Sequence, residues 1–137
     1  MKKAIFLFYI LVMTCCTTKV ATAQEKQKAR ISLIRQNGNT VALTVTSSTE
    51  FYMGGNKHVL YIGTKKYDLY DQNNIDGRGM LKFFLPTADY KAMKNGTPVY
   101  LSYGELEIDN EQQLAEMSKD ADTKCWYLGK LNKKVQK

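Results

Sequence analysis

The chain has 137 residues, of which 20 are basic, 13 acidic and 44% hydrophobic, and its formal net charge is +7. This length suits a single domain that buries its own hydrophobic core. Three cysteines are too few for a domain held together by several disulfides, so that class of small exported scaffold is excluded.

The first 23 residues resemble a bacterial secretory signal peptide. Met1-Lys2-Lys3 is basic, an apolar run follows from Ala4 to Met13, and Ala21-Thr22-Ala23 has the small-residue pattern of a signal peptidase site. The apolar run is too short for a bilayer-spanning helix, which needs about 20 residues. The sequence therefore predicts a signal peptide over 1–23, no transmembrane segment, and a single β-rich domain over 24–137 that is periplasmic or secreted.

A lipid anchor is the alternative fate of the leader. Cys15 and Cys16 follow the apolar run directly, as the lipidated cysteine does in bacterial lipoproteins. Neither cysteine has the usual small residue just before it, so cleavage after Ala23 is favoured. Lipidation at Cys15 or Cys16 would instead hold the protein at a membrane as an outer-membrane lipoprotein.

The charge is distributed unevenly along the predicted domain. Removing the leader removes Lys2, Lys3 and Lys19, which leaves 17 basic and 13 acidic residues. Seven acids lie between 105 and 122 against one lysine, whereas 124–137 has five lysines and no acid. We interpret the basic end as a solvated terminus beside an acidic helix, and we expect no nucleic-acid partner.

Alternating apolar residues predict most of the domain to be β-strand. In 29–47, Val41, Leu43 and Val45 alternate with smaller or polar residues, and Asn37-Gly38 supplies a tight hairpin turn. Further strands are predicted in 57–72, where Gly63-Thr64 turns a second hairpin, and in 80–86, 97–104 and 124–131.

Two short helices interrupt the strands. Thr87 is predicted as the N-cap of the first, and Asp109 opens the second, over 109–121, with Gln112 at capping-box spacing. About seven strands and two helices predict an antiparallel two-sheet sandwich of immunoglobulin-like type, with a small β-barrel as the alternative. The predicted core consists of Ile31, Leu33, Val41, Leu43, Val45, Leu60, Ile62, Phe83, Leu85, Leu101 and Leu128.

The residues contain no recognisable catalytic motif, and no cofactor is predicted. His58 is the only histidine, and Cys125 is the only cysteine after the leader. A thiol- or carboxylate-dependent enzyme using Cys125 and His58 is the alternative function, and it requires these single residues to converge. We interpret Cys125 as a buried hydrophobic residue and His58 as a packed histidine at a strand edge.

Residues 71–79 superficially resemble a calcium-binding loop. Aligning Gly77 with the obligatory glycine of such a loop puts Gln72 at the first ligand position and Phe83 at the twelfth. An aspartate and a bidentate glutamate are needed at these two positions. We therefore predict an ordinary Asx-rich turn and no metal site.

The aromatic residues are the strongest indication of a function. Alternation along 97–104 sends Val99 and Leu101 to a core and Tyr100 to the opposite side of the strand. If Tyr70, Tyr100 and Trp126 share an exposed sheet face, they could stack on sugar rings or anchor a protein partner. The sequence thus predicts a non-catalytic binding or cell-envelope interaction module that recognises a glycan or a protein.

Overall fold

The computed structural model of the protein describes residues 28–134, which form seven antiparallel strands and two helices. The predicted leader lies outside the described residues. The strands are β1 (Ala29–Asn37), β2 (Thr40–Ser47), β3 (His58–Ile62), β4 (Lys65–Ile75), β5 (Arg78–Pro86), β6 (Pro98–Tyr103) and β7 (Cys125–Lys130). The helices are α1 (Thr87–Ala92), between β5 and β6, and α2 (Glu111–Lys119), between β6 and β7.

The seven strands form one sheet in the order β1-β2-β5-β4-β3-β6-β7, which curls into a half-barrel. Its two outermost strands, β1 and β7, contact each other. The long strand β4 joins the two halves of the sheet: Lys65 to Asp68 pair with β3, and Leu69 to Ile75 pair with β5. The pairing with β5 is irregular between Leu69 and Asp71, so β4 bends where it changes partner.

The mainly β, antiparallel character predicted from the sequence is confirmed, but the two-sheet sandwich is not. Among residues 28–134 every strand belongs to the same sheet, because β4 is hydrogen-bonded to strands of both halves. A local strand pattern predicts which segments are extended, but it does not predict whether a strand bends to bridge two halves or ends at a sheet edge.

The hairpin turns use residues that adopt left-handed backbone conformations. Asp76 and Gly77, with φ of 53° and 74°, connect β4 to β5, as in a tight two-residue hairpin. The Asx-rich turn predicted over 71–79 is therefore much shorter than expected, since Asp71 to Ile75 continue β4. Gly38 (φ 63°) turns the predicted first hairpin.

One large core lies inside the curl of the sheet. It contains Val41, Leu43, Val45, Leu60, Ile62, Phe83, Leu85, Leu101 and Leu128, as predicted, and it also takes up Ile34, Phe51, Tyr67, Leu81, Tyr90, Val99 and Leu131. Ile31 packs against it while partly exposed.

The prediction that Leu33 lies in the core is wrong, because the pairing of β1 with β2 shifts between Ile31 and Leu33. Ile31 lies opposite Val45, but beyond the shift Leu33 lies opposite Thr44 and Ile34 opposite Leu43. Side chains alternate between the faces of a strand, so one extra residue moves Leu33 outward and brings Ile34 into the core.

A smaller cluster covers the outer side of the β3-β6-β7 half. Val59, Tyr61, Tyr100 and Cys125 point to this side, and Leu114 of α2 packs onto them. Tyr61 also fixes the loop before α2, since its hydroxyl accepts a hydrogen bond of 2.8 Å from the backbone N–H of Leu106. Helix α2 thus covers part of the outer surface of this half, while Tyr127 stays exposed beside it.

Both predicted helix starts are displaced by one residue. Asn110, not Asp109, is the N-cap of α2, and its side chain accepts a 3.0 Å hydrogen bond from the Gln113 backbone N–H. Thr87 is already inside α1, whose N-cap, Pro86, provides no side-chain cap. Neither helix of the described segment is long and apolar enough to cross a bilayer.

Candidate functional site

The three aromatic residues predicted to form one exposed face are separated in the structure. Tyr70 is 65% exposed, and its ring packs against that of Phe84 with centroids 4.1 Å apart and the ring planes inclined by 35°. Tyr100 is buried under α2 in the outer cluster. Trp126 points to the other side of the sheet, where it packs against the inner core. Of the predicted set, Tyr70 alone is an exposed ring.

The burial of Tyr100 also affects its hydroxyl. Removal from water raises the pKa of Tyr100, and the neighbouring Tyr127, Cys125 and Glu111 raise it further. Tyr127 is the more exposed partner of this pair, with ring centroids 5.3 Å apart. Tyr100 therefore resembles a core residue rather than a ligand contact.

Cys125 and His58 lie on opposite faces of the sheet. Cys125 is fully buried in the outer cluster, among Val59, Tyr61 and Tyr100. His58 is also buried, but its ring contacts Phe51, Tyr103 and Trp126 on the inner side. Burial lowers the pKa of His58 to about 4, with a hydrogen bond to the Gln72 side chain opposing the change. A shared thiol–imidazole site gains no support from this arrangement.

An aromatic cluster surrounds His58 at one end of the half-barrel. Tyr52 meets Tyr103 edge to face at 5.3 Å, and Lys124 Nζ lies 4.9 Å and 5.1 Å from the centroids of these two rings. Such edge-to-face and cation–π contacts stabilise a fold by themselves. The Tyr103 hydroxyl also accepts a 3.1 Å hydrogen bond from the Asn56 backbone. The cluster therefore anchors the loop between β2 and β3.

A second candidate surface is the outer side of the other half of the sheet, formed by β1, β2, β5 and β4. We call it the open face; its outward side chains are Arg30, Leu33 and Arg35 of β1, Ala42, Thr44 and Thr46 of β2, Arg78, Met80, Lys82 and Phe84 of β5, and Tyr70, Asp71, Asn73 and Ile75 of β4. Helix α1 turns Tyr90 into the inner core, and α2 packs on the opposite half of the sheet. Within residues 28–134, neither helix covers the open face.

Cations dominate the open face. Strands β1, β2 and β5 carry Arg30, Arg35, Arg78 and Lys82 and no carboxylate. The acids nearby are Asp71 on β4 and Asp76 in the β4–β5 turn. The ion pairs of the described part, Lys65–Asp89 and Lys66–Glu105, involve none of these cations. The open face therefore has more cations than acids, and none of its cations forms an ion pair with another described residue.

Apolar and polar groups lie between these cations. Tyr70 and Phe84 form a stacked pair at one end, and Met80 (40% exposed) and Ile75 (54% exposed) lie toward the other end. Thr46 and Asn73 flank Met80 on the neighbouring strands. Rings, aliphatic groups, hydroxyls and amides on one exposed surface can all contact a ligand without a chemical step.

A groove of about 1130 Å³ runs along one end of the open face. Its lining includes the cations Lys28, Arg30 and Arg78, the carboxylate of Asp76, and the polar side chains of Thr46 and Asn73. This volume exceeds the upper range of about 1,000 Å³ for small-molecule pockets. A groove of this volume has room for an extended ligand.

The sequence reasoning missed the arginines. The chain has three, Arg30, Arg35 and Arg78, and all lie on the open face. Arg30 and Arg78 each lie beside a residue predicted or found to face inward, so alternation could have placed them outward. Alternation from the predicted core residue Leu33 places Arg35 inward instead, and it is the register shift between Ile31 and Leu33 that turns Arg35 outward.

Within residues 28–134 the structure holds no group of three or more His, Cys, Asp or Glu side chains that could bind a metal. No family model, curated protein or solved structure matches the chain.

Proposed function

We propose that the protein is a small exported binding module without catalytic activity, and that the open face is its binding surface. The observation that carries this proposal is the asymmetry of the two sheet halves. Helix α2 covers the outer side of β3-β6-β7, whereas the outer side of β1-β2-β5-β4 exposes Tyr70, Ile75 and Met80. Exposed apolar side chains grouped on one surface often mark an interaction site.

Of the three aromatic residues that the sequence predicts for binding, Tyr70 belongs to the proposed surface. Its ring is exposed and is held by Phe84, so little side-chain freedom is lost when a ligand stacks on it. Tyr100 and Trp126, also predicted as binding residues, support the fold in the structure rather than the proposed surface. Binding on the open face does not need the second sheet of an immunoglobulin-like sandwich, which stays a prediction.

A matched pair of tyrosine variants tests the binding surface. Tyr70→Ala removes an exposed ring from the open face, and Tyr127→Ala removes an exposed ring from the other half of the sheet. We expect Tyr70→Ala to weaken binding on an array of neutral and acidic glycans at least about tenfold, as for a central aromatic contact. Tyr127→Ala should bind as the parent protein does. Equal losses in both variants, or a loss with Tyr127→Ala alone, would contradict the proposed surface.

Export is the second element of the proposal, since the leader resembles a bacterial signal peptide. Mass spectrometry of the protein recovered from the cell envelope and the medium tests it. We expect an N-terminus at Gln24. An acylated N-terminal Cys15 or Cys16 would show a lipoprotein instead, and an intact Met1 in the cytoplasm would exclude export.

A further inference from the structure

We infer that the ligand of the open face is an acidic polysaccharide, that is, a glycan chain with repeated carboxylate, sulfate or phosphate groups. This inference rests on the proposed binding function of the same face and adds the chemical class of the ligand. Three observations lead to it: the position of the arginines, the lack of carboxylates paired with them, and the spacing of the charges along the groove.

The first observation is the position of the arginines. The chain has 20 basic residues, and its three arginines all lie on the open face. The planar guanidinium presents paired N–H donors that match an oxyanion, whereas the lysine ammonium is a compact point charge. Arg30, Arg35 and Arg78 are all exposed, so their donors can reach a ligand.

The second observation is that these guanidiniums have no carboxylate on their own strands or on β2. Arg30 lies opposite Thr46, Arg35 opposite Ala42, and Arg78 opposite Ile75. Asp71 of β4 lies opposite Lys82, but the two side chains do not form an ion pair. Asp76 lines the groove together with Arg78 but forms no ion pair with it, so an oxyanion placed here does not have to break an internal ion pair.

The third observation is the spacing of the charges and the shape of the groove. Arg30 on β1 and Arg78 on β5 both line the groove with β2 between them, so about 10 Å separates their strands. Over that distance, acidic groups repeated along a chain can contact the two arginines separately.

The remaining groups of the surface suit a glycan backbone. Thr46, Ser48 and Asn73 line the groove with hydroxyl and amide groups that can hydrogen-bond sugar hydroxyls. Tyr70 offers a ring for stacking at the far end of the face. A lipid surface would use the charges but would leave these positions without a role.

The experiment compares two polymers with one backbone, neutral dextran and dextran sulfate, together with polygalacturonate as a carboxylate probe. Binding of the exported protein is measured by isothermal calorimetry at 0.15 M salt. We expect binding to one or both acidic polymers and none to dextran. The Arg30→Gln/Arg78→Gln variant should bind at least about tenfold more weakly, since it removes two charge-assisted contacts.

Two further variants show whether position or mere charge matters. Lys94→Gln/Lys130→Gln removes the same charge from exposed sites outside the open face and should change the affinity less than about twofold. Arg30→Lys/Arg78→Lys keeps the charge but loses the paired donors. Its affinity should lie between that of the parent protein and that of Arg30→Gln/Arg78→Gln. The inference would be overturned if Lys94→Gln/Lys130→Gln lost as much affinity as Arg30→Gln/Arg78→Gln. Equal losses of affinity would indicate attraction to net charge alone.

Other outcomes separate this inference from the proposed function. Arginine-independent binding of a neutral glycan that is lost in Tyr70→Ala would overturn the inference and leave the binding function standing. Arginine-dependent binding to vesicles containing phosphatidylglycerol, without binding to the acidic polymers, would assign the face to lipid headgroups. Arginine-dependent self-association in light scattering would assign it to the acidic α2 region of a second copy. Each of these results would overturn the inference that the ligand is an acidic polysaccharide.

Discussion

Phe51 packs directly on the backbone of Gly79. A Cβ atom at Gly79 would lie 2.3 Å from Cδ2 and 2.9 Å from Cε2 of the Phe51 ring. The ring cannot move away easily, because Asn74 holds the Phe51 backbone with hydrogen bonds of 3.1 Å from its N–H and 3.0 Å to its carbonyl oxygen. The absence of a side chain at Gly79 therefore lets the β2–β3 connection enter the core.

Gly79→Ala should destabilise the protein by about 1–3 kcal/mol, the usual cost of overpacking a closed site. Denaturant unfolding followed by circular dichroism measures the change. Gly55→Ala is the matched control, because an added Cβ there has no neighbour within 4 Å. If the two alanine variants unfold at the same denaturant concentration, Phe51 does not pack on Gly79 as described.

A pair of leucines tests the irregularity in β1. Leu43 is fully buried, whereas Leu33 faces outward after the register shift. We expect Leu43→Ala to cost about 2–5 kcal/mol of unfolding free energy and Leu33→Ala less than about 1 kcal/mol. Equal costs would mean that β1 runs in the regular register and that Leu33 lies in the core.

The fold was largely predictable where the signal is local. Alternation in Val41, Leu43 and Val45 places those residues in the core because β2 has no irregularity. The same argument fails at Leu33, since a register shift in β1 leaves no mark in a period-2 pattern. It also fails for the number of sheets, which depends on β4 pairing with β5 and β3 in succession.

The candidate site was less predictable, because exposure depends on which element packs on which face. Alternation sends Tyr100 away from the inner core as expected, but only tertiary structure shows that Leu114 of α2 covers it. Tyr70 gives no periodic signal, since it lies at the irregularity of β4. The cationic strands β1 and β5 come to lie on either side of β2 through a non-sequential strand order that the sequence does not reveal.

The buried His58 should make the protein less stable in mild acid. Burial holds the pKa of His58 at about 4, below its ordinary value of 6.5. Between these values the unfolded chain binds a proton that the folded chain does not, so the free energy of unfolding decreases as the pH falls. We expect the contribution of His58 to lower stability by about 2 kcal/mol between pH 7 and pH 5.

Denaturant titrations at pH 7, 6 and 5 measure this dependence, with His58→Phe as the control. Phenylalanine keeps a ring among Phe51, Tyr103 and Trp126 but cannot be protonated. The variant should therefore lose much less stability over the same pH range. Identical slopes in parent and variant would show that His58 is protonated as readily in the folded state as in the unfolded state.

Tyr100 gives the sharpest distinction between a structural ring and a binding ring. It is 6% exposed and lies with Val59, Tyr61 and Leu114 beneath α2. Tyr100→Ala should leave a cavity between sheet and helix, and we expect a loss of about 3–5 kcal/mol, as for other large aromatic truncations in a core. Tyr100→Phe keeps the ring and should recover most of that stability, whereas Tyr70→Ala, on an exposed ring, should cost less than about 1 kcal/mol. Thermal unfolding of the three variants measures these differences. If Tyr100→Ala unfolds at the same temperature as the parent protein but no longer binds the ligand, Tyr100 belongs to the binding surface. Helix α2 would then not cover Tyr100.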